Sequence, residues 1–387
     1  MAKKRTSKKA KLTRRQHSLR RRDERIQRIL TWSAIGVGTL IVLILAYGAI
    51  TELIIKPQRP VAKVGEEKIT TKAYQSRVRY ERLMLRYQIL QYEEYLSQID
   101  TSDPQMQTFA QQIQQTKAQL ENELSPELAP LFGKDVLDQM VEERLVRQKA
   151  AEEGLSVSDA AVTSQIEQMM GFDREAALEA TTSPTMTVTE TQAVMTEADY
   201  RETYANFKVN MLQEAGMSEA AFREMVKTDL LRTKVLEAVT QDVAQEAEQA
   251  QVTYFATPTE EEAMALRERI LAGEEVEALV EEVNSSENEE TLAQTLSWYP
   301  QEYLAQVLGE DLAETAFTLP VGTISKPQPD ASEELYYLIY VGGREVRALS
   351  EALLQQEKQE AYQAWLQEQK EAQVTYLDWE SVTPDEP

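Results

Sequence analysis

Apolar residues follow three patterns along this chain. The first is an unbroken run from Leu30 to Thr51 with no charged side chain. About 20 such residues cross the hydrocarbon core of a bilayer at roughly 1.5 Å per residue, so the run predicts one transmembrane helix. Trp32 and Tyr47 lie near its two ends, where aromatic rings favour the headgroup level. A buried helix of a soluble protein is usually shorter and keeps a polar face. A cleaved signal peptide has an apolar region of only about 7–15 residues. Ala46-Tyr47-Gly48 could serve as a cleavage site, but the length favours an uncleaved anchor over residues 30–51.

The second pattern repeats every three to four residues and predicts helices. Thr70 or Thr71 can cap a long helix with an apolar stripe at Tyr80, Leu83, Tyr87 and Leu90. Residues 101–104 (Thr-Ser-Asp-Pro) break it, and a Gln-rich helix then runs to about Leu124. Another begins near Lys134, places Leu137, Met140, Val141 and Leu145 on one face, and stops at Gly154. Ser158 opens a helix ending around Gly171. Residues 173–197 are rich in Ala, Thr and Met with a Ser183-Pro184 break, and read as an insertion or a mobile connection. Helix resumes at Glu197, pauses at Gly216, restarts at Ser218 and continues to about Glu248. Seven of the twelve methionines fall between Met169 and Met225, a composition that suits a promiscuous binding surface. At helical spacing they read more simply as core filling.

The third pattern is short and alternating or extended. Val61 to Thr70 gives two extended runs around a Gly65 turn, after a linker over residues 52–60. From Gln251 the character changes. Gln251 to Ala256 reads as a strand, and Thr257-Pro258-Thr259-Glu260 as a capping box with Pro at the first helical position. A helix to about Leu271 stops at Gly273, and a shorter one holds Val276, Leu279, Val280 and Val283. After a polar loop, Leu312 to Leu319 is helical, while Thr323 to Ser325 and Leu335 to Val341 are extended, the latter ending at Gly342-Gly343. Ser350 caps a last helix with Leu354, Ala361, Tyr362, Trp365 and Leu366 on one face, followed by an alternating run from Val374 to Trp379. The expected fold is α+β and predominantly α. A helical domain covers 61–250, a compact α+β domain of order β-α-α-α-β-β covers 251–346, a closing helix and strand cover 347–380, and a tail covers 381–387.

Charge orients this arrangement. Residues 1–29 hold thirteen Lys and Arg against Asp23 and Glu24, a net of +11; because the whole chain carries −24, the remainder sums to −35. Basic residues beside a span stay cytoplasmic, which puts residues 52–387 outside the cell membrane. Topology accounts for the basic tail without nucleic-acid binding, and the acidic remainder is a poor surface for polyanions. There are no cysteines, so disulfides, thiol catalysis and zinc–thiolate sites are excluded. The one histidine, His17, lies in the tail, which removes histidine chemistry from everything beyond the span. No Walker loop or Gly-x-Gly-x-x-Gly run occurs. Acidic clusters such as Glu260 to Glu262 read as solvated faces, nothing points to a carboxylate dyad for glycoside hydrolysis, and no cofactor or metal is expected.

Taken in order, these segments resemble the SurA/PrsA-type foldases, which carry a parvulin (PpiC-type) prolyl isomerase domain. Pro60-Val-Ala-Lys-Val-Gly-Glu-Glu-Lys-Ile-Thr70 stands where the family has "PVAxVNGExIT". The run from Val136 to Ala150 is similar to its "vLdqLIdexLIxqxA" helix, followed by Gly154-Leu155 and Val157-Ser158. Tyr254-Phe-Ala-Thr-Pro-Thr-Glu-Glu-Glu-Ala263 resembles "HILVxTEEEA". Ala293 to Pro300 keeps Leu296, Trp298 and Pro300 of "GGDLGWFP" without its glycines, and Leu335 to Val341 takes the place of "GYHIIKV". Ala316-Phe317 and Pro320 to Ser325 fit "AAFxLxxGEIS". The resemblance covers roughly residues 60–380. It implies a SurA-like chaperone domain, completed by the last helix and strand, with an inserted parvulin-like domain.

The resemblance also implies where a site would lie. Tyr254 and Tyr337 stand at the two family histidines, Glu287 aligns with the loop acid or Cys, and Leu308, Leu312, Phe317 and Trp298 would wall the substrate pocket. Prolyl isomerisation must lower a barrier of about 18–20 kcal/mol set by amide resonance. It needs no nucleophile, so an apolar pocket that stabilises the twisted amide could retain weak activity. Three functions stay open: an anchored chaperone for unfolded or newly exported polypeptides, a working prolyl isomerase, and a membrane scaffold for one specific partner.

Overall fold

A computed structural model describes residues 32–33, 36–99, 102–182, 194–285, 291–329 and 334–386. In chain order the elements are α1 (Gly36–Gln58), β1 (Pro60–Val64), β2 (Glu67–Thr70), α2 (Thr71–Gln98), α3 (Pro104–Glu123), α4 (Ala129–Glu152), α5 (Asp159–Met169), α6 (Arg174–Thr182), α7 (Glu197–Phe207) and α8 (Glu219–Val239). Then come β3 (Glu246–Thr257), α9 (Glu260–Leu271), α10 (Val276–Ser285), β4 (Leu292–Pro300), α11 (Gln301–Leu308), α12 (Glu310–Thr318), β5 (Gln328–Pro329), β6 (Tyr336–Ala348), α13 (Glu351–Gln373) and β7 (Val374–Tyr376). The fold is predominantly helical with antiparallel sheets.

Helix α1 is long and apolar enough to cross a membrane, and no residue of its apolar stretch is buried in the protein. It also runs beyond the expected end at Thr51, through most of the segment read as a linker over 52–60. Pro57 explains how: it has no N–H to give and its ring crowds the preceding turn. The helix widens there into a π turn over Thr51–Ile55, with the Lys56 N–H reaching back to the Thr51 carbonyl, and ends at Gln58.

The described chain forms two compact units, one of residues 1–235 with 366–387 and one of residues 236–365. In the first, β1 is central to a three-stranded antiparallel sheet of order β2-β1-β7. The β1–β2 hairpin pairs Val64 with Glu67 and buries Val61, Ala62, Val64 and Ile69. Strand β7 pairs Val374 with Val64 and Tyr376 with Ala62, so the C-terminal strand does return to complete this domain. Beyond it, residues 380–385 are docked rather than trailing. Thr383 bonds the Tyr74 hydroxyl at 2.6 Å, Gln75 donates to the Val382 carbonyl, and buried Arg82 donates to the carbonyls of Leu124 and Asp385.

Helix α2 is capped by Thr70, whose hydroxyl accepts from the Ala73 N–H. Its apolar stripe holds at Tyr80 and Leu83, but Tyr87 and Leu90 are exposed. That distal half pairs with α3 and buries Ile89, with Ala110 and Ile113 of α3 also buried. Helix α4 starts five residues before the expected Lys134, because Gly133 does not break it. A Cβ at Gly133 would overlap the Tyr74 hydroxyl and the Thr383 methyl, so this glycine serves close packing. Residues 174–182, expected as part of a loose connection, are helical, and Asp173 caps them by accepting from the N–H groups of Glu175 and Ala176. Residues 183–193 of that expectation lie outside the described residues, and Thr196 already caps α7 by accepting from the Asp199 N–H. Tyr80, Ile166, Leu212, Phe222 and Val226 form the core here, with Met217 and Met225 buried in it and Met169 exposed.

In the second unit, β3 is central to a four-stranded antiparallel sheet of order β4-β3-β6-β5. Helix α8 stops at Val239 and β3 opens at Glu246, both earlier than the expected change at residues 248–251. Thr259 caps α9 by accepting from the Glu262 N–H, and Thr257 instead turns its hydroxyl to the Thr259 carbonyl, so the cap lies two residues later than predicted. Two elements replace the expected polar loop: strand β4 and helix α11. Strand β6 runs through Gly342-Gly343 instead of ending there.

Candidate functional site

The sheet of the second unit has two faces with separate cores. Phe255, Ala293, Leu338 and Ile324 pack against α9 and α10 through Ala263, Leu266 and Leu279. Ala250, Val252, Leu296, Ile339 and Val341 pack against α11 and α12 through Leu304, Leu312, Ala313 and Ala316. On that second face the half-buried rings of Tyr254 and Tyr337 lie with centroids 6.2 Å apart and tilted by 38°. They stand on neighbouring strands, since β3 and β6 pair Tyr254 with Ile339 and Ala256 with Tyr337. The Tyr254 hydroxyl donates to the Gln294 side-chain carbonyl at 3.0 Å, directly across on β4.

Leu308, Leu312 and Phe317 belong to the same cluster as the two tyrosines, and only Leu312 is fully buried. The wall they make is held by β5 and β6. Arg344 of β6 donates to the carbonyls of Phe317 and Leu319, closing the C-terminal end of α12 with a cation where carbonyls lack partners. Gln328 of β5, paired in register with Tyr337, donates to the Thr315 hydroxyl of α12 at 2.9 Å.

Trp298 is not part of this cluster. Two β-bulges occur at one level of the sheet, one between Ala250 and Val252 against β4 and one between Gln251 and Val252 against β6. Each adds a residue to the strand paired with β3, which re-aims the side chains beside it. Trp298 then lies over Gly343, where an added Cβ would come within 2.5 Å of its ring, and beneath the Arg347 guanidinium at 4.5 Å. Glu287 lies outside the described residues. The site thus gathers Tyr254, Tyr337, Leu308, Leu312 and Phe317, with Gln294, Arg344, Gln328 and Thr315 added around them. Gln294 was hidden because its role arises from pairing across strands; Gly342-Gly343 inside an apolar run was the signal for the bulge in β6.

Residues 234–353 match the family of PPIC-type PPIASE domains, and residues 96–204 match the SurA-like N-terminal domain family. This chain joins a SurA-like N-terminal domain to a PPIC-type PPIase domain. Solved structures with detectable likeness include the peptidylprolyl isomerase PrsA from Bacillus cereus, at 18% identity over 66% of this chain and 82% of that one, with a TM-score of 0.31. PrsA from Bacillus subtilis matches at 18% identity over 62% and 81%, TM-score 0.21. A structure of the SurA-like chaperones PEB4 and Cj1289 from Campylobacter jejuni matches at 13% over 63% and 88%, TM-score 0.18. At these scores the two domain matches, not the superpositions, carry the assignment. No curated protein matches the chain.

Within the PPIC-type domain, the chemistry open to the site is narrow. Burial, and then the neighbouring Tyr337, raise the Tyr254 phenol above its ordinary value. At neutral pH it is therefore an O–H donor, already engaged by Gln294, and not a base. Among the described residues no group of three His, Cys, Asp or Glu is placed to hold a metal ion. What remains is an apolar wall on α11 and α12 facing two aromatic rings, a surface that can hold an apolar or prolyl side chain.

Proposed function

We propose that the protein is a membrane-anchored extracytoplasmic chaperone that binds unfolded, newly exported polypeptides, with weak or no prolyl isomerase activity. The observation that carries this reading is the Tyr254–Tyr337 pair. At the positions that the resemblance gives to the family's two histidines stand packed rings, and among the described residues the one polar side chain they engage is Gln294. The pocket wall remains apolar, so the capacity to hold a peptide is kept while the polar network is replaced. The domain pairing supports the chaperone role, and the apolar α1 with a basic segment before it supports the anchor and its direction.

The test is a protease-coupled prolyl-peptide isomerisation assay on the full chain in detergent, run beside aggregation suppression of a chemically unfolded client. The reading expects suppression at near-stoichiometric protein and an isomerisation rate at background. Isomerisation well above background would establish a working enzyme instead. Absence of both suppression and client binding would leave a scaffold for a specific partner.

A further inference from the structure

A second surface of the PPIC-type domain has the makings of a peptide site, well removed in character from the tyrosine pair. An open groove of about 660 Å³ has Val243, Ala247, Ala305 and Leu349 on its floor. Its rim carries Glu302 and Glu357, and Glu310 and Glu314 from the first turns of α12. No Lys or Arg lines it, and among the described residues none of these four glutamates is in an ion pair. Elsewhere the same domain does pair its acids, as Arg269 does with both Glu274 and Glu282. The groove's charges are left without a cation partner among the described residues. Burial, then the nearby Glu302 and Glu360 carboxylates, raise Glu357 above the ordinary carboxylate value.

We propose that this groove docks cationic, apolar segments of polypeptide clients, stretches in which Lys or Arg alternate with aliphatic residues. The inference rests on the chaperone reading and names the kind of segment this second site would take. Three observations select the occupant. The floor is apolar, so a bare cation gains nothing from it. The four carboxylates are spread around the rim and are not gathered as metal ligands, since no metal-holding group occurs among the described residues. The rim repels anionic lipid and nucleic acid, whereas complementary charge both steers and selects a basic peptide. The volume lies within the range of sites that hold a few side chains.

The experiment uses the full chain in detergent and two fluorescein-labelled twelve-residue peptides of equal aliphatic content. One carries four Lys or Arg, and the other carries Gln at those positions. Fluorescence anisotropy is expected to show at least tenfold tighter binding of the cationic peptide, weakening as salt is raised. The triple variant Glu302→Gln, Glu314→Gln, Glu357→Gln should lose that preference, and Ala247→Trp, which fills the floor with every charge in place, should lose binding. Circular dichroism confirms that both variants are folded. Equal binding of the two peptides, or a preference that survives either variant, would overturn the proposal. Aggregation suppression of an unfolded client lacking basic clusters separates the two levels. Its persistence in the triple variant supports a distinct cationic site beside intact chaperoning. If the wild-type chain binds the cationic peptide but suppresses no client, the groove stands and the chaperone reading falls.

Discussion

Gly343 and Tyr254 occupy opposite situations in the same sheet. Gly343 has no room: a Cβ would press into the Trp298 ring, which is held from beyond by Arg347. Gly343→Ala is therefore expected to destabilise the PPIC-type domain by about 1–3 kcal/mol, the usual cost of overpacking, read as a lower urea midpoint. An unchanged midpoint would mean that Trp298 moves aside freely. Tyr254, by contrast, has a hydroxyl that, among the described residues, bonds only the exposed Gln294. Tyr254→Phe should cost no more than about 1 kcal/mol and leave client binding intact. A large loss of aggregation suppression would show that the hydroxyl contacts clients. That Tyr254 and Tyr337 lie on paired strands was legible in the sequence, because both runs are strongly apolar. The roles of Gln294 and Arg344 were not, because they arise from pairing across strands that no local pattern encodes.

At the scale of elements, the charged cluster in the helical domain and the C-terminal segment both make predictions. Arg77 of α2 bonds Glu81 at 2.7 Å and buried Glu143 of α4 at 3.0 Å, with Arg147, Asp229 and Arg232 around them. Burial is the main cause that raises both carboxylates, and Arg77 offsets part of it. The folded state thus keeps protons at pH values where the unfolded chain has lost them. That contribution to stability is full at low pH and is lost as pH rises from the ordinary Glu value of about 4.3 through the raised folded values. Glu143→Gln should flatten this fall, measured as urea midpoints across acidic to neutral pH; an unchanged slope would contradict it. Arg77→Met, which takes the bonded cation from both carboxylates, should cost about 3–5 kcal/mol, read as a lower urea midpoint at neutral pH.

The docked C-terminal segment predicts that truncation after Gln373 removes one of the two partners of β1 and four side-chain bonds, those of Tyr74, Gln75, Arg82 and Asp138. At about 1 kcal/mol per bond, the helical domain should lose about 4 kcal/mol and become sensitive to limited proteolysis. The return of β7 was legible, because Val374 to Trp379 alternates after a capped helix. Docking of residues 380–385 was not, since it depends on a glycine in α4, a hydroxyl in α2 and a buried guanidinium. Elements with strong periodicity and clear caps, such as α2 and α9, were placed within a few residues. Strand β4 and helix α11 were missed, because a bulge and a run of half-buried positions left no clean period.

For the whole molecule, anchor and domain pairing together define the proposed role. The absence of native cysteine permits a direct test of direction. Ser7→Cys and exposed Gln359→Cys, made separately, should differ in intact cells or spheroplasts: an impermeant maleimide should label the second and not the first. Labelling of the first alone would reverse the topology. The central claim, binding without isomerisation, is tested most directly by the refolding of a client whose slow phase is limited by a prolyl bond, which takes about 10–100 s uncatalysed. With rising concentrations of the full chain, the account predicts that refolding yield during the slow phase falls toward stoichiometric protein, while the rate never exceeds the spontaneous one. Acceleration of that phase by substoichiometric protein would contradict it.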